Sequence, residues 1–198
     1  MPKIAAPTVA ENRELRRDAL LAAAARLMQR GRGFTVAEVA REVGLSRSAV
    51  YEYYGSASDL IADVLIDEFV AWSDSLAASA VPGATPEQRL RAWLEAVLAY
   101  VVDGRHALLR AAGSVELPPA RRSQVQTLHQ ALIAPLVDAL AARGCADPVR
   151  QSRYVWGVVE VAINRIENGE CEPGDEIDAV IAFIDRGLGA AVPRRTVA

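Results

Sequence analysis

The residues able to do chemistry are few, and their spacing argues for recognition rather than catalysis. His106 and His129 stand 23 positions apart, with no carboxylate or thiol at a spacing that suggests a general base or an activated nucleophile. There is no Gly-rich phosphate cradle, no HExxH, no GxSxG, and none of the repeated ExxH that a di-iron bundle requires. Cys145 and Cys171 lie 26 positions apart, in neither a CxxC nor a metal-ligand pattern, so no disulfide framework, metal site or cofactor is expected. The sequence therefore predicts a protein that is not an enzyme. What remains is a polar face: Ser46, Arg47, Ser48 and Tyr51 share one side of a short segment, Val50 takes the other, and Ala49 is small enough for close approach. Hydroxyls and a guanidinium fork suit base edges and phosphates, and Arg47 is the candidate for direct base reading, bidentate to guanine.

The flanking grammar positions that face. In the stretch Phe34 to Tyr54, FTVAEVAREVGLSRSAVYEYY, Thr35 is an N-cap and Glu38 completes a capping box. A short helix should run to about Val43 with Val36, Val39 and Ala40 inward, until Gly44 stops it. Ser46 caps the next helix, two turns long and reaching about Tyr53, and Gly55 closes the unit. Small residues where two helices cross, a glycine in the turn, an apolar anchor at Leu45 and a second helix with one polar face make a helix-turn-helix.

Apolar residues elsewhere recur at three and four rather than at two, so the predicted fold is all-α with about nine helices. The first runs from about Asn12 to Arg30, with Leu20, Ala23, Ala24 and Leu27 on one face, and Gly31 and Gly33 end it. Further helices are predicted over 59–79, 86–103, 105–112, 119–142, 147–167 and 175–188, with frayed ends over roughly the first ten and last seven residues. The domain division expected is 1–56 for the helix-turn-helix part and 57–198 for a helical bundle. The chain has 198 residues, 52% of them hydrophobic and 24% charged, enough for a sizeable core and against disorder. No run of 18 apolar residues is free of charge or proline, and MPKIAAPTVA has no apolar h-region, so the expectation is a cytoplasmic protein with no membrane partner.

The net charge of −3 conceals an uneven distribution. Residues 1–54 carry nine basic side chains against six acidic, a balance of +3, which leaves −6 for the rest. A basic part beside an acidic remainder suits a modular binder whose one part meets a polyanion, although an excess this small also arises by chance. Of 22 basic residues only Lys3 is a lysine, a bias that GC-rich coding explains equally well.

Taken in order, LLAAAARLMQRG, FTVAEVAREVGLSRSAVYEYYGS and SDLIADVL resemble the TetR family of bacterial transcriptional regulators. The likeness covers about 60 residues, while the remaining two-thirds match in length and helix count. It implies that Thr35 touches backbone phosphate, that Arg47 and Ser48 enter the major groove, and that Tyr51 and Tyr53 donate to phosphates. Ser46, a cap in any helical protein, joins them as a phosphate contact. Arg13, Arg16 and Arg17 either add DNA contacts or form a solvated helix face. The chain departs from the family's pattern at Tyr53, often His, at Tyr54, often Phe, and at Ala57, frequently a Lys that contacts phosphate. Losing one cation should flatten the salt dependence of binding by roughly one unit of slope.

The resemblance also implies a homodimer on a palindromic double-stranded DNA operator, and repression relieved by a small hydrophobic effector. Tyr154 to Ile166, YVWGVVEVAINRI, is apolar nearly all round and should be covered on two sides, with Ile177, Val180, Ile181, Ile184 and Leu188 offering a stripe for a four-helix dimer interface. Candidate effector contacts are the large or polar groups of the apolar helices: Trp72, Trp93, Tyr100, His106, Arg110, His129, Tyr154, Trp156, Glu160 and Asn164. Trp156, Glu160 and Asn164 share a helix face, and a Glu inside an apolar run needs a functional reason or a partner, which Arg153, Arg165 or an arginine across the dimer would supply. Two other readings stay open, a regulator that senses oxidants through Cys145 or Cys171 and a helical adaptor that binds protein instead of DNA.

Overall fold

A computed structural model describes residues 8–30, 33–113 and 115–189. Among the described residues there are nine α-helices and no strand: α1 Val9–Gln29, α2 Val36–Glu42, α3 Arg47–Tyr51, α4 Ala57–Ala78, α5 Pro86–Val102, α6 Ala107–Ala112, α7 Pro119–Ala142, α8 Pro148–Glu167 and α9 Pro173–Gly189. The all-α expectation agrees with this, and the departures lie at helix ends. Helix α1 begins before Asn12 because Thr8 and Glu11 form a capping box, with the Thr8 N–H donating to Glu11 Oε2 at 2.6 Å. Helix α4 begins at Ala57 because the Ser56 hydroxyl accepts from the Asp59 N–H at 3.1 Å. Helix α9 begins at Pro173, whose fixed φ suits a first turn. Gly31 and the terminal stretches 1–7 and 190–198, over which a helix stop and frayed ends were expected, lie outside the described residues.

The chain divides into two compact units, one of residues up to Ala71 with Ala107–His129, the other of Trp72–His106 with the residues from Gln130 on. Packing thus draws α6 and the first half of α7 into the same unit as the helix-turn-helix, although they follow it by some fifty positions in sequence. In unit 1, α1 packs against α2 and α6, and α2 against α3. Its core holds Leu20, Ala23, Ala24 and Leu27 of α1, Val39 and Ala40 of α2, Val50 of α3 and Leu60 of α4, the inward faces that the periodicity predicts for α1 to α3.

In unit 2, α5 packs against α8 and α9, and α8 against α9. Helices α5 and α8 have explicit starts: Thr85 and Gln88 form a capping box ahead of Pro86, and the Asp147 carboxylate accepts from the Arg150 N–H at 2.9 Å ahead of Pro148. Helix α7 contains Pro135; a proline there removes one helical hydrogen bond and crowds the preceding turn. The Trp93 indole N–H donates to the Leu132 carbonyl in that turn at 3.2 Å. The expected α9 stripe is corrected in one respect: Val180, Ile181 and Ile184 are buried within the chain itself, because α9 lies back on α5 and α8. Large apolar side chains of α8 and α9 that point outward are Val149, Tyr154, Val161 and Phe183. Among the described residues no helix is long and apolar enough to cross a membrane.

Candidate nucleic-acid interface

The turn between α2 and α3 sets the geometry of the polar face. Gly44 adopts φ +69°, the left-handed conformation a helix C-terminus favours. The Leu45 N–H then reaches back to the Ala40 carbonyl at 2.9 Å and the Gly44 N–H to the Arg41 carbonyl at 3.4 Å, which satisfies the end of α2 and turns the chain into α3. Leu45 packs on the core of unit 1. Helix α2 is pinned to α1 as well: Glu42 pairs with Arg30 at 2.9 Å and with Arg26 at 3.4 Å.

On α3 the two faces separate cleanly. Val50 is 0% exposed, whereas Ser46, Arg47, Ser48 and Tyr51 are all exposed. Ser46 caps the helix by accepting from the Ala49 N–H at 3.1 Å, and its hydroxyl lies 2.9 Å from that of Ser48. The helix ends at Tyr51, earlier than the sequence suggested, since the N–H groups of both Tyr53 and Tyr54 converge on the Val50 carbonyl at 3.0 Å. That tight exit sends Tyr54 inward and leaves Tyr53 half-buried under the Arg13 guanidinium, 5.2 Å above its ring. Burial pushes the Tyr54 phenol up to about 12, with the neighbouring Asp63 charge adding to it.

Thr35 is exposed at the start of α2, where it accepts from the Glu38 N–H at 3.3 Å while its own N–H donates to Glu38 Oε2 at 2.8 Å. Thr35→Ala should cost about 1 kcal/mol of stability through the lost cap. Thr35→Ser, which restores the cap, should melt as the wild type does in a thermal scan; an equal loss in both variants would assign the role to the Thr methyl instead. Of the three α1 arginines, Arg17 is committed inward to Asp63 at 3.1 Å, and that bond holds its guanidinium above the ordinary value. Arg13 and Arg16 remain exposed.

The candidate effector contacts divide. In unit 2, Trp93, Tyr100, His106 and Trp156 gather around or beside Trp72, which stacks on Tyr100 at 4.8 Å and meets His106 edge-on at 5.6 Å and Trp156 at 6.5 Å. No sequence spacing pairs His106 with a carboxylate, but the fold supplies one 61 positions away: its Nδ1 lies 2.9 Å from Glu167 Oε1. Glu160 and Asn164 are exposed, and the partner of Glu160 is the Trp156 indole N–H at 2.7 Å, neither Arg153 nor Arg165. Arg165 pairs with Glu176 at 2.9 Å. Tyr154 points outward. In unit 1, Arg110 is exposed and His129 meets the Phe69 ring edge-on at 5.9 Å. Trp93 also lines a cavity of about 240 Å³ with Leu76, Ala92, Pro135 and Ala139, and with Arg89 and Asp138 as its charged groups.

A capped helix, a Gly44 turn and a second helix that buries Val50 and exposes its polar side make a helix-turn-helix. The model of the family described as bacterial regulatory proteins, tetR family, matches residues 20–64, the span from α1 to the first half of α4. Solved structures similar over nearly the whole chain include a TetR-like transcriptional regulator from Rhodococcus sp. RHA1 (TM-score 0.73, 25% identity, 94% of this chain and 100% of that one). Others are the TetR-family transcriptional regulator PfmR from Thermus thermophilus (0.64, 20%, 87% and 98%) and the transcriptional regulator FadR from Bacillus subtilis in complex with stearoyl-CoA (0.68, 12%, 88% and 98%). No curated protein matches by sequence. The chain thus carries the helix-turn-helix and the fold of the TetR-family transcriptional regulators, which are not enzymes.

Proposed function

We propose that the protein is a ligand-responsive transcriptional repressor in the cytoplasm, a homodimer that binds a palindromic double-stranded operator and is released by a small hydrophobic effector. Residues 1–56 grip DNA; residues 57–198 dimerise and hold the effector. The observation that carries this reading is the α3 face, where Ser46, Arg47, Ser48 and Tyr51 are exposed on a helix anchored by a fully buried Val50. A short helix so anchored can enter the major groove without unpacking. Thr35, Ser46, Tyr51 and Tyr53 are assigned to phosphates, Arg47 and Ser48 to base edges. Support for the effector comes from the aromatic cluster around Trp72 and from the stearoyl-CoA complex of the FadR neighbour.

The redox alternative is weakened at one of its two thiols. Partial desolvation and the Glu176 carboxylate hold the Cys171 thiol above its ordinary value, so it forms less of the reactive thiolate. Among the described residues no cluster of potential ligands could hold a metal ion.

The test uses an operator enriched from a random duplex library by the wild-type protein. Arg47→Ala should weaken operator binding by roughly 1–3 kcal/mol and relax base preference at one position of each half-site. Arg13→Ala should instead weaken all duplexes alike and lower the salt slope by about one, as a phosphate contact does. Unchanged discrimination by Arg47→Ala would overturn the assignment of α3.

A further inference from the structure

Asp63 is the one charged residue among the described ones that the structure buries, 6% exposed on α4 between buried Ala62 and Val64. Its two oxygens serve two different helices: Oδ2 accepts from Arg17 Nη2 of α1 at 3.1 Å, and Oδ1 pairs with Arg121 Nη1 of α7 at 3.0 Å. Tyr54, the buried residue just after α3, lies beside the same carboxylate, and Arg13, one turn before Arg17, covers Tyr53. These side chains, with Glu14 and Gln124, line a polar cavity of about 360 Å³.

An ion triad around a buried carboxylate, with both guanidiniums partly exposed, is a poor way to gain stability, since apolar residues of similar volume often do as well or better. What it gives is a discrete geometry. Each carboxylate oxygen is matched by one guanidinium, so the contact fixes α1 and the start of α7 against one point of α4.

We propose that Asp63 is a positioning residue for DNA recognition, holding α1, α4 and the tyrosines that follow α3 in one register, and that Arg121 makes this register depend on where α7 lies. The inference rests on the reading of α3 as the DNA-facing helix.

The test titrates the enriched operator and a scrambled duplex by fluorescence anisotropy, each at several salt concentrations. Arg121→Met should weaken operator binding about tenfold, leave the scrambled duplex within about twofold and leave the salt slope unchanged, since no phosphate contact is removed. Arg121→Lys, which retains the charge, should recover part of the loss. Because a single substitution can strand a buried charge and unfold the protein, an all-apolar triple variant (Arg17→Met, Asp63→Leu, Arg121→Met) accompanies it. The triple variant should melt at or near the wild-type temperature and still lose operator preference. If it melts normally and binds the operator as tightly as wild type, the triad only packs the unit and the proposal fails. Equal losses on both duplexes with a shallower salt slope would make Arg121 a phosphate contact, which also overturns it. Arg47→Ala serves as the control: if it too leaves discrimination intact, the failure belongs to the DNA-facing assignment of α3.

Discussion

Replacing Trp72 with alanine should destabilise the protein by about 3–5 kcal/mol, the range found when a buried aromatic side chain is truncated in a core that cannot collapse. Trp72 is 1% exposed and is among the largest fully buried side chains. Its ring lies on Tyr100 at 4.8 Å with only 12° between the planes, and it also meets His106 and Trp156. Tyr100 is itself covered by the Arg105 guanidinium at 4.4 Å, and Trp93 by Trp156 at 6.3 Å. Truncation therefore removes one ring's transfer energy and the ring contacts of three neighbours, each worth a further fraction of a kcal/mol to about 1.5 kcal/mol. In a chain of this length the loss should lower the melting midpoint by about 10 °C. Trp72→Phe, which keeps an aromatic face against Tyr100, should recover more than half of it. A Trp72→Ala protein melting within about 2 °C of wild type would mean that these rings are not the organising core of unit 2.

The helix-turn-helix was legible because its instructions are local. Thr35 and Glu38 cap within one turn, Gly44 supplies the positive φ at the one place it is needed, and Ser46 restarts the helix two residues later. Inward and outward residues of α1 to α3 follow from helical periodicity alone. Interactions that join distant segments were not legible. Asp63 finds Arg17 46 positions away, and His106 finds Glu167 at 61, pairings that no spacing rule encodes. A signal for the first was nonetheless present: in LIADVLIDEF, Asp63 is flanked by Leu60, Ile61, Ala62, Val64 and Leu65, so a carboxylate at that phase had to be buried and hence had to be matched. Arg17 was misread as one of three equivalent surface cations, because nothing in its neighbours distinguishes it from Arg13 or Arg16. The same limit applies to α9, whose apolar stripe announces burial without saying against which chain.

That ambiguity makes the dimer prediction specific. Since Val180, Ile181 and Ile184 already face inward, the surface left for a partner is the outer side of α8 and α9, where Tyr154 is 67% exposed, Val161 58% and Phe183 63%. Tyr154 and Phe183 flank a groove of about 520 Å³ that also includes Val158, Ile184 and Leu188. A two-fold interface repeats every contact, so a single substitution acts twice. Burying a phenylalanine is worth about 1.5–3 kcal/mol, and Phe183→Glu should cost the dimer at least twice that, or about a hundredfold to ten-thousandfold in its dissociation constant. The separated chain should fold normally, because the substituted side chain is solvent-exposed there. Sedimentation should then show a monomer at micromolar concentration that still unfolds in one cooperative transition, at a midpoint lowered by the lost association energy. Operator binding should fall at least as steeply, because each head would grip its half-site alone without the other's effective concentration. A Phe183→Glu protein that still sediments as a dimer would place the partner surface elsewhere. One that becomes monomeric yet binds the operator undiminished would show that two-fold symmetry plays no part in recognition.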